Sequence, residues 1–190
     1  HALESDPVMT REAVRLLLEA HFPESLHDDI LGAVGLPPSE PTLLADSPRV
    51  PEAGRVRDPR FREHVLRAYE HRCAVSGFQT ALGGSYFGCE AAHVQWHSYD
   101  GPDAVDNGLA LEPTLHQLLD AGAWTLTDDH RVLVSAELTG TDIALERVRG
   151  LHGKRIRSPL RGQPEIACEY IHWHREPELG GVFRHPPLPL

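Results

Sequence analysis

Several things are scarce in this chain of 190 residues, and each scarcity narrows what it can be. There are three cysteines, Cys73, Cys89 and Cys168, and no CxxC pair, which excludes a paired-cysteine zinc framework and a disulfide scaffold. Reduced, partly buried thiols in a cytoplasmic protein are the expectation. No apolar run reaches the roughly eighteen residues of a membrane span, and the first stretch is too polar and acidic for a signal peptide. The opening His1-Ala2 leads us to expect a piece of a longer protein, with an upstream domain. No GxSxG elbow occurs and Ser76 lacks the context of a nucleophile, so serine-hydrolase chemistry is set aside, as is a cysteine nucleophile.

Positive charge is also scarce. Lys and Arg number 18 against 28 Asp and Glu, a net charge of −10 that argues against a general polyanion binder. The charge is unevenly placed, however. Acids crowd residues 4 to 46, whereas bases cluster at Arg55, Arg57, Arg60, Arg62, Arg67 and Arg72, and again from Arg147 to Arg161. A local basic face is compatible with that total. Apolar residues make up 41%, enough for a real core.

Residues 10 to 22 place Val14, Leu17, Leu18 and Phe22 at helical spacing after Thr10, a candidate N-cap. A second helix is expected from Ser25 to Val34, closed by Gly35. Six prolines between residues 36 and 59 read as a linker, which divides the chain into a helical hairpin with linker, 1–54, and a main domain, 55–190. Asp58-Pro59 starts a third helix whose apolar stripe is Phe61, Val65, Leu66 and Tyr69. Short strands are then expected at Cys73–Val75, Tyr86–His93 and Leu109–Leu111. A helix from Pro113 to Asp120 follows, ended by Gly122, then a hairpin over Trp124–Thr127 and Arg131–Ser135 and a last helix around Glu165–Trp173. The fold class is α+β.

The order strand, loop, strand, helix carries the chemistry. A histidine at a strand end, His93, and one in the first turns of a helix, His116, can face a common cleft, within a few ångströms of each other. The Asn107-Gly108 pair between them can turn the chain while the amide cross-links the loop. Phosphodiester hydrolysis needs a base that works near neutral pH, a divalent cation to stabilise developing charge, and a rigid ligand for that cation. Imidazoles suit the first and last roles.

The stretch CAVSG, then EAAHVQWHSYDGPDAVDNGLALEPTLHQLLDAG, resembles the HNH endonuclease family with its ββα-metal core, in the branch found in modification-dependent restriction endonucleases. The closing IHWHREPELGGVFR resembles that branch too, so the likeness covers about residues 55 to 185. It implies an HNH nuclease core with added helices and a short hairpin. By it, His93 would be the general base, and Asn107 would order the loop and approach the metal. His116 would bind a divalent ion (Mg2+, Mn2+, Ni2+ or Zn2+). DNA would be the partner, with contacts expected from Arg60, Arg72, Lys154, Arg155, Arg157 and Arg175. An upstream reader of 5-methylcytosine or phosphorothioate DNA, a homodimer and a role in defence are further implications.

One departure stands out: many such sites carry Asp or His directly before the base, and here that position is Ala92. Glu90 is near, but strand alternation puts it on the face opposite His93. A non-catalytic DNA-binding or assembly module on the same scaffold is therefore a rival reading, and a metal-binding structural domain is another. His97 is expected to be a loop residue, Asp120 to hold the helix end, and His172 and His174 to serve packing and capping.

Overall fold

The computed structural model describes Val14, residues 16–18 and residues 60–189. Val14 and residues 16–18 are helical, whereas the expected second helix, the proline-rich linker and the Asp58-Pro59 cap lie outside the described residues. The chain divides into two compact units between Val56 and Arg57, and everything below concerns the second. No helix among the described residues is long and apolar enough to cross a membrane.

The first element, α1 (Phe61–Ala68), buries Phe61, Val65, Leu66 and Ala68, and Tyr69 behind them is almost fully buried. This is the stripe read from the sequence. Cys73 to Gly77 is a turn rather than the expected strand: Gly77 N–H donates to the Cys73 carbonyl at 3.0 Å, and Ala74 N–H reaches Ala110 at 2.8 Å. Next comes a hairpin absent from the sequence reading, β1 (Thr80–Leu82) with β2 (Ser85–Phe87). The expected single strand from Tyr86 to His93 is cut in two at Gly88. That residue has φ +84°, and a Cβ there would come within 2.9 Å of the Phe78 ring, so the position suits glycine alone.

The centre of the unit is a two-stranded antiparallel ribbon, β3 (Glu90–His93) and β4 (Gly108–Leu111), in the register Glu90↔Leu111 and His93↔Gly108. The alternation of the pleat puts His93 and Gly108 on one face, and Glu90 and Leu111 on the other. α1 presses on the first face. A Cβ on Gly108 would lie 2.3 Å from Val65 Cγ2, so the helix can sit this close only because no side chain is there. Gly108 itself is ordinary extended backbone with φ −124°, which corrects the expectation that Asn107-Gly108 makes a turn: the glycine provides room for a helix.

α2 (Pro113–Asp120) contributes the other cover, with Pro113 in its first turn and Leu115 and Leu119 buried. β5 (Trp124–Leu126) and β6 (Val132–Val134) form the expected hairpin, and Trp124 Nε1–H fastens it to the Leu115 carbonyl at 2.9 Å. α3 (Asp142–Arg149) was not legible in the sequence because its apolar stripe is thin; Val148 is its one buried residue. α4 (Cys168–Arg175) starts three residues later than expected. The mixture of helices and small antiparallel ribbons is an α+β fold.

The IHWH segment has a structural role. His174 is fully buried; its Nε2–H donates to the Leu119 carbonyl at 3.1 Å, and its Nδ1 accepts from the Thr125 hydroxyl at 2.9 Å. It thereby ties α4 to the end of α2 and to β5. Burial pushes its pKa down to about 4. An unfolded chain would bind a proton there near pH 6.5, so stability is complete above that pH and is lost as the pH falls towards 4, by roughly 3 kcal/mol. In urea titrations at pH 7 and pH 4.5, His174→Gln is expected to be less stable at pH 7 but to lose less on acidification. Equal losses in the two proteins would refute this.

Candidate functional site

The loop after β3 is built on Asn107. Its side chain has no solvent exposure and all its polar atoms are engaged. The oxygen accepts from Gln95 N–H at 2.8 Å, and the amide nitrogen donates to the carbonyls of Gln95 at 2.9 Å and Pro102 at 3.0 Å. A backbone bond from Val94 N–H to the Asn107 carbonyl, 2.9 Å, closes the base of the loop. Two short 3-10 turns, His97–Tyr99 and Val105–Asn107, fill it. Trp96, Tyr99 and Trp173 of α4 pack over it with ring centroids 5.4 to 6.0 Å apart. Asn107 is thus a strap across the loop neck. Its amide is spent on backbone and sealed from solvent, so it is not carried forward as a metal ligand.

The strap puts Asp103 over His93. Asp103 Oδ1 is 2.8 Å from His93 Nε2, with both side chains largely buried. The His93 ring also stacks on Phe61 of α1, at a centroid distance of 3.9 Å and an interplanar angle of 13°. His97 stands nearby, its Nε2 3.8 Å from the other Asp103 oxygen and buried without a hydrogen-bond partner. Sequence reasoning missed Asp103, because a Gly-Pro-Asp run reads as turn chemistry.

His116, on α2, reaches β3 through Glu90. Its Nδ1 is 2.7 Å from Glu90 Oε2, and its Nε2 is 3.4 Å from Asp120 Oδ2, one helical turn on. Burial works against a charge on this ring, but the hydrogen bond to Glu90 and the Asp120 carboxylate outweigh it and raise the proton affinity of His116 above the ordinary value. The same hydrogen bond holds the Glu90 carboxyl below its usual range. Asp120 is nearly inaccessible, 3% exposed, where a carboxylate needs positive charge or donors around it.

The two histidines read from the sequence are therefore each held by a carboxylate of their own, His93 by Asp103 and His116 by Glu90. Glu90 and His93 stand at opposite ends of β3. Glu90 was set aside for facing away from His93; it faces His116 for the same reason.

Whether a cation suits the surroundings of His116 depends on the donors. Among the described residues no group of three or more His, Cys, Asp or Glu forms a metal cage. His116 and Asp120 nevertheless fit a divalent ion as an imidazole-carboxylate pair. Glu90 on Nδ1 is the partner that metal-ligating histidines usually carry on the far nitrogen, fixing the tautomer that leaves the Nε2 lone pair on the side of Asp120. Water and phosphate oxygens would complete the shell.

The basic residues divide. Arg60, Lys154 and Arg157 are exposed. Arg155 lies 3.5 Å from Glu165, and Arg72 bonds Gln79 at 3.4 Å. Arg175 is committed to the fold: its guanidinium holds Asp128, Glu176 and the Leu126 carbonyl, with 19% of the side chain exposed. The thiols are free, and burial pushes that of Cys89 up to about 11.

Residues 73–127 match the model of the HNH endonuclease family, the stretch that carries β3, the strapped loop, β4 and α2. The resemblance read from the sequence is thereby met. No curated protein matches. Among solved structures, a modification-dependent TagI restriction endonuclease is 28% identical, with 67% of this chain and 40% of that one covered and a TM-score of 0.45. This chain thus spans well under half of that enzyme.

If Asn107 is the strap, Asn107→Ala leaves the backbone groups it held without partners and is expected to cost about 3 kcal/mol in urea unfolding. A cost below about 0.5 kcal/mol, the ordinary range for a surface change, would remove it from that role.

Proposed function

We propose that this chain carries the cleavage domain of a metal-dependent DNA endonuclease acting in the cytoplasm. The observation that supports it most is a pair of carboxylate-held imidazoles, His93 and His116, set on the strand-loop-strand-helix segment that matches the HNH endonuclease model. His93 takes a proton from the attacking water, a role suited to imidazole at neutral pH. His116 and Asp120 hold a divalent cation, and Glu90 orients His116. When bound, the cation stabilises the charge that develops on phosphate and leaving oxygen. Arg60, Arg72, Lys154, Arg155 and Arg157 are the proposed backbone contacts; Arg175 is left to its structural work.

We extend the reading to a modification-dependent restriction enzyme, with 5-methylcytosine or phosphorothioate DNA as the substrate class. The resemblance of the site segment and of the IHWHREPELGGVFR close supports this extension. The rival, a module that binds DNA without cutting it, draws on one observation: Ala92, where a further metal ligand commonly stands, is buried and offers no donor.

Plasmid cleavage separates the two. With Mg2+, Mn2+ or Ni2+ and paired modified and unmodified DNA, the protein is expected to nick or linearise at least one substrate. His93→Ala should lower the rate by about a hundredfold or more while retaining the fold by circular dichroism. DNA retention in a gel without cleavage under any of the metals would favour the binding module. A second expectation concerns Glu90: Glu90→Gln should weaken Mn2+ binding by about tenfold or more, as loss of a partner behind a ligating histidine does. Unchanged affinity in calorimetric titration would mean that the cation is not held at His116.

A further inference from the structure

Resting on the nuclease reading above, we infer that Asp103 is a positioning residue for His93 and that Asn107 reaches the chemistry through it. A carboxylate at neutral pH only accepts hydrogen bonds. At 2.8 Å, Asp103 Oδ1 therefore selects the tautomer in which His93 Nε2 carries the proton, and the lone pair lies on Nδ1. The stack of the ring on Phe61 at 3.9 Å restrains its plane. The ring is thus held in both its orientation and its protonation pattern.

The carboxylate is itself placed by backbone. Pro102, the residue before it, gives its carbonyl to the buried amide of Asn107 at 3.0 Å, and that amide is pinned on its other side to the backbone N–H and carbonyl of Gln95. A rigid path of three bonded steps runs from Asn107 to Pro102, to Asp103 and to His93. In the reaction the water proton moves to Nδ1, hydroxide forms the new bond to phosphorus, and the bond from phosphorus to the leaving sugar oxygen breaks, that oxygen taking a proton from solvent. The imidazolium keeps its Nε2–H on Asp103, which offsets the new positive charge without taking the proton. The ring then returns that proton to solvent. His97 shares the same carboxylate only at 3.8 Å, beyond hydrogen-bond distance, so it does not set the tautomer.

The test is nitrogen-15 NMR of the His93 ring in the full chain, beside steady-state cleavage of a DNA duplex with Mn2+. In the wild type, neutral His93 is expected as the Nε2-protonated tautomer. Asp103→Asn, which can present an NH2 to Nε2, should move the proton towards Nδ1 and lower kcat by about a hundredfold or more. KM for DNA should stay within about threefold. His97→Gln should leave tautomer and kcat near wild type. A wild-type ring protonated on Nδ1 would overturn the inference, even if no Asp103 variant folds. So would Asp103→Asn with full kcat while His93→Ala is dead; the nuclease reading would then survive alone. Full activity in His93→Ala would instead sink the nuclease reading first.

Discussion

The site depends on a four-residue strand pinned between two helices. In β3 the pleat gives alternate residues to opposite faces, and neither face can exchange its set without a register slip. α1 fixes one face by lying against Gly108, where even a methyl group would collide with Val65. α2 fixes the other by bonding His116 to Glu90. Register and helix placement then reinforce each other, and the positions of all the chemical groups follow from them.

This constraint gives the two imidazoles different surroundings. His93 is stacked on an aromatic ring and held by Asp103, an arrangement that suits a base whose orientation and tautomer must be set. His116 lies between Glu90 and a buried Asp120, an arrangement rich in negative charge that suits a cation. The buried amide of Asn107 adds the third part by closing the loop that carries Asp103.

Much of this was legible in the sequence, for stated reasons. Phe61, Val65 and Leu66 announce a helix by their spacing, and Pro113 marks the start of α2 at the observed residue. His93 and His116 stood out because their order around Asn107 is distinctive. Three features were hidden. Gly108 looked like half of a turn, because its sequence signal is the same whether it bends the chain or makes room for a helix. Glu90 was judged only against His93, when the rule of alternation that separates them also delivers it to His116. Asp103 and Arg175 could not be sorted by type: a loop aspartate and a surface arginine acquire their roles from neighbours far along the chain, Asn107 in one case and Asp128 in the other.

A net charge of −10 shapes the electrostatics of the whole chain, so a cation seated at the site would matter for docking a phosphate as well as for its cleavage. Where that cation sits is the centre of the account. The most direct measurement is a crystal structure grown with Mn2+, with the metal located by its anomalous scattering. The expected peak lies between His116 Nε2 and Asp120, with Glu90 still on Nδ1. A peak on the Asn107 amide, or among His93, Asp103 and His97, would contradict the assignment of the cation to His116.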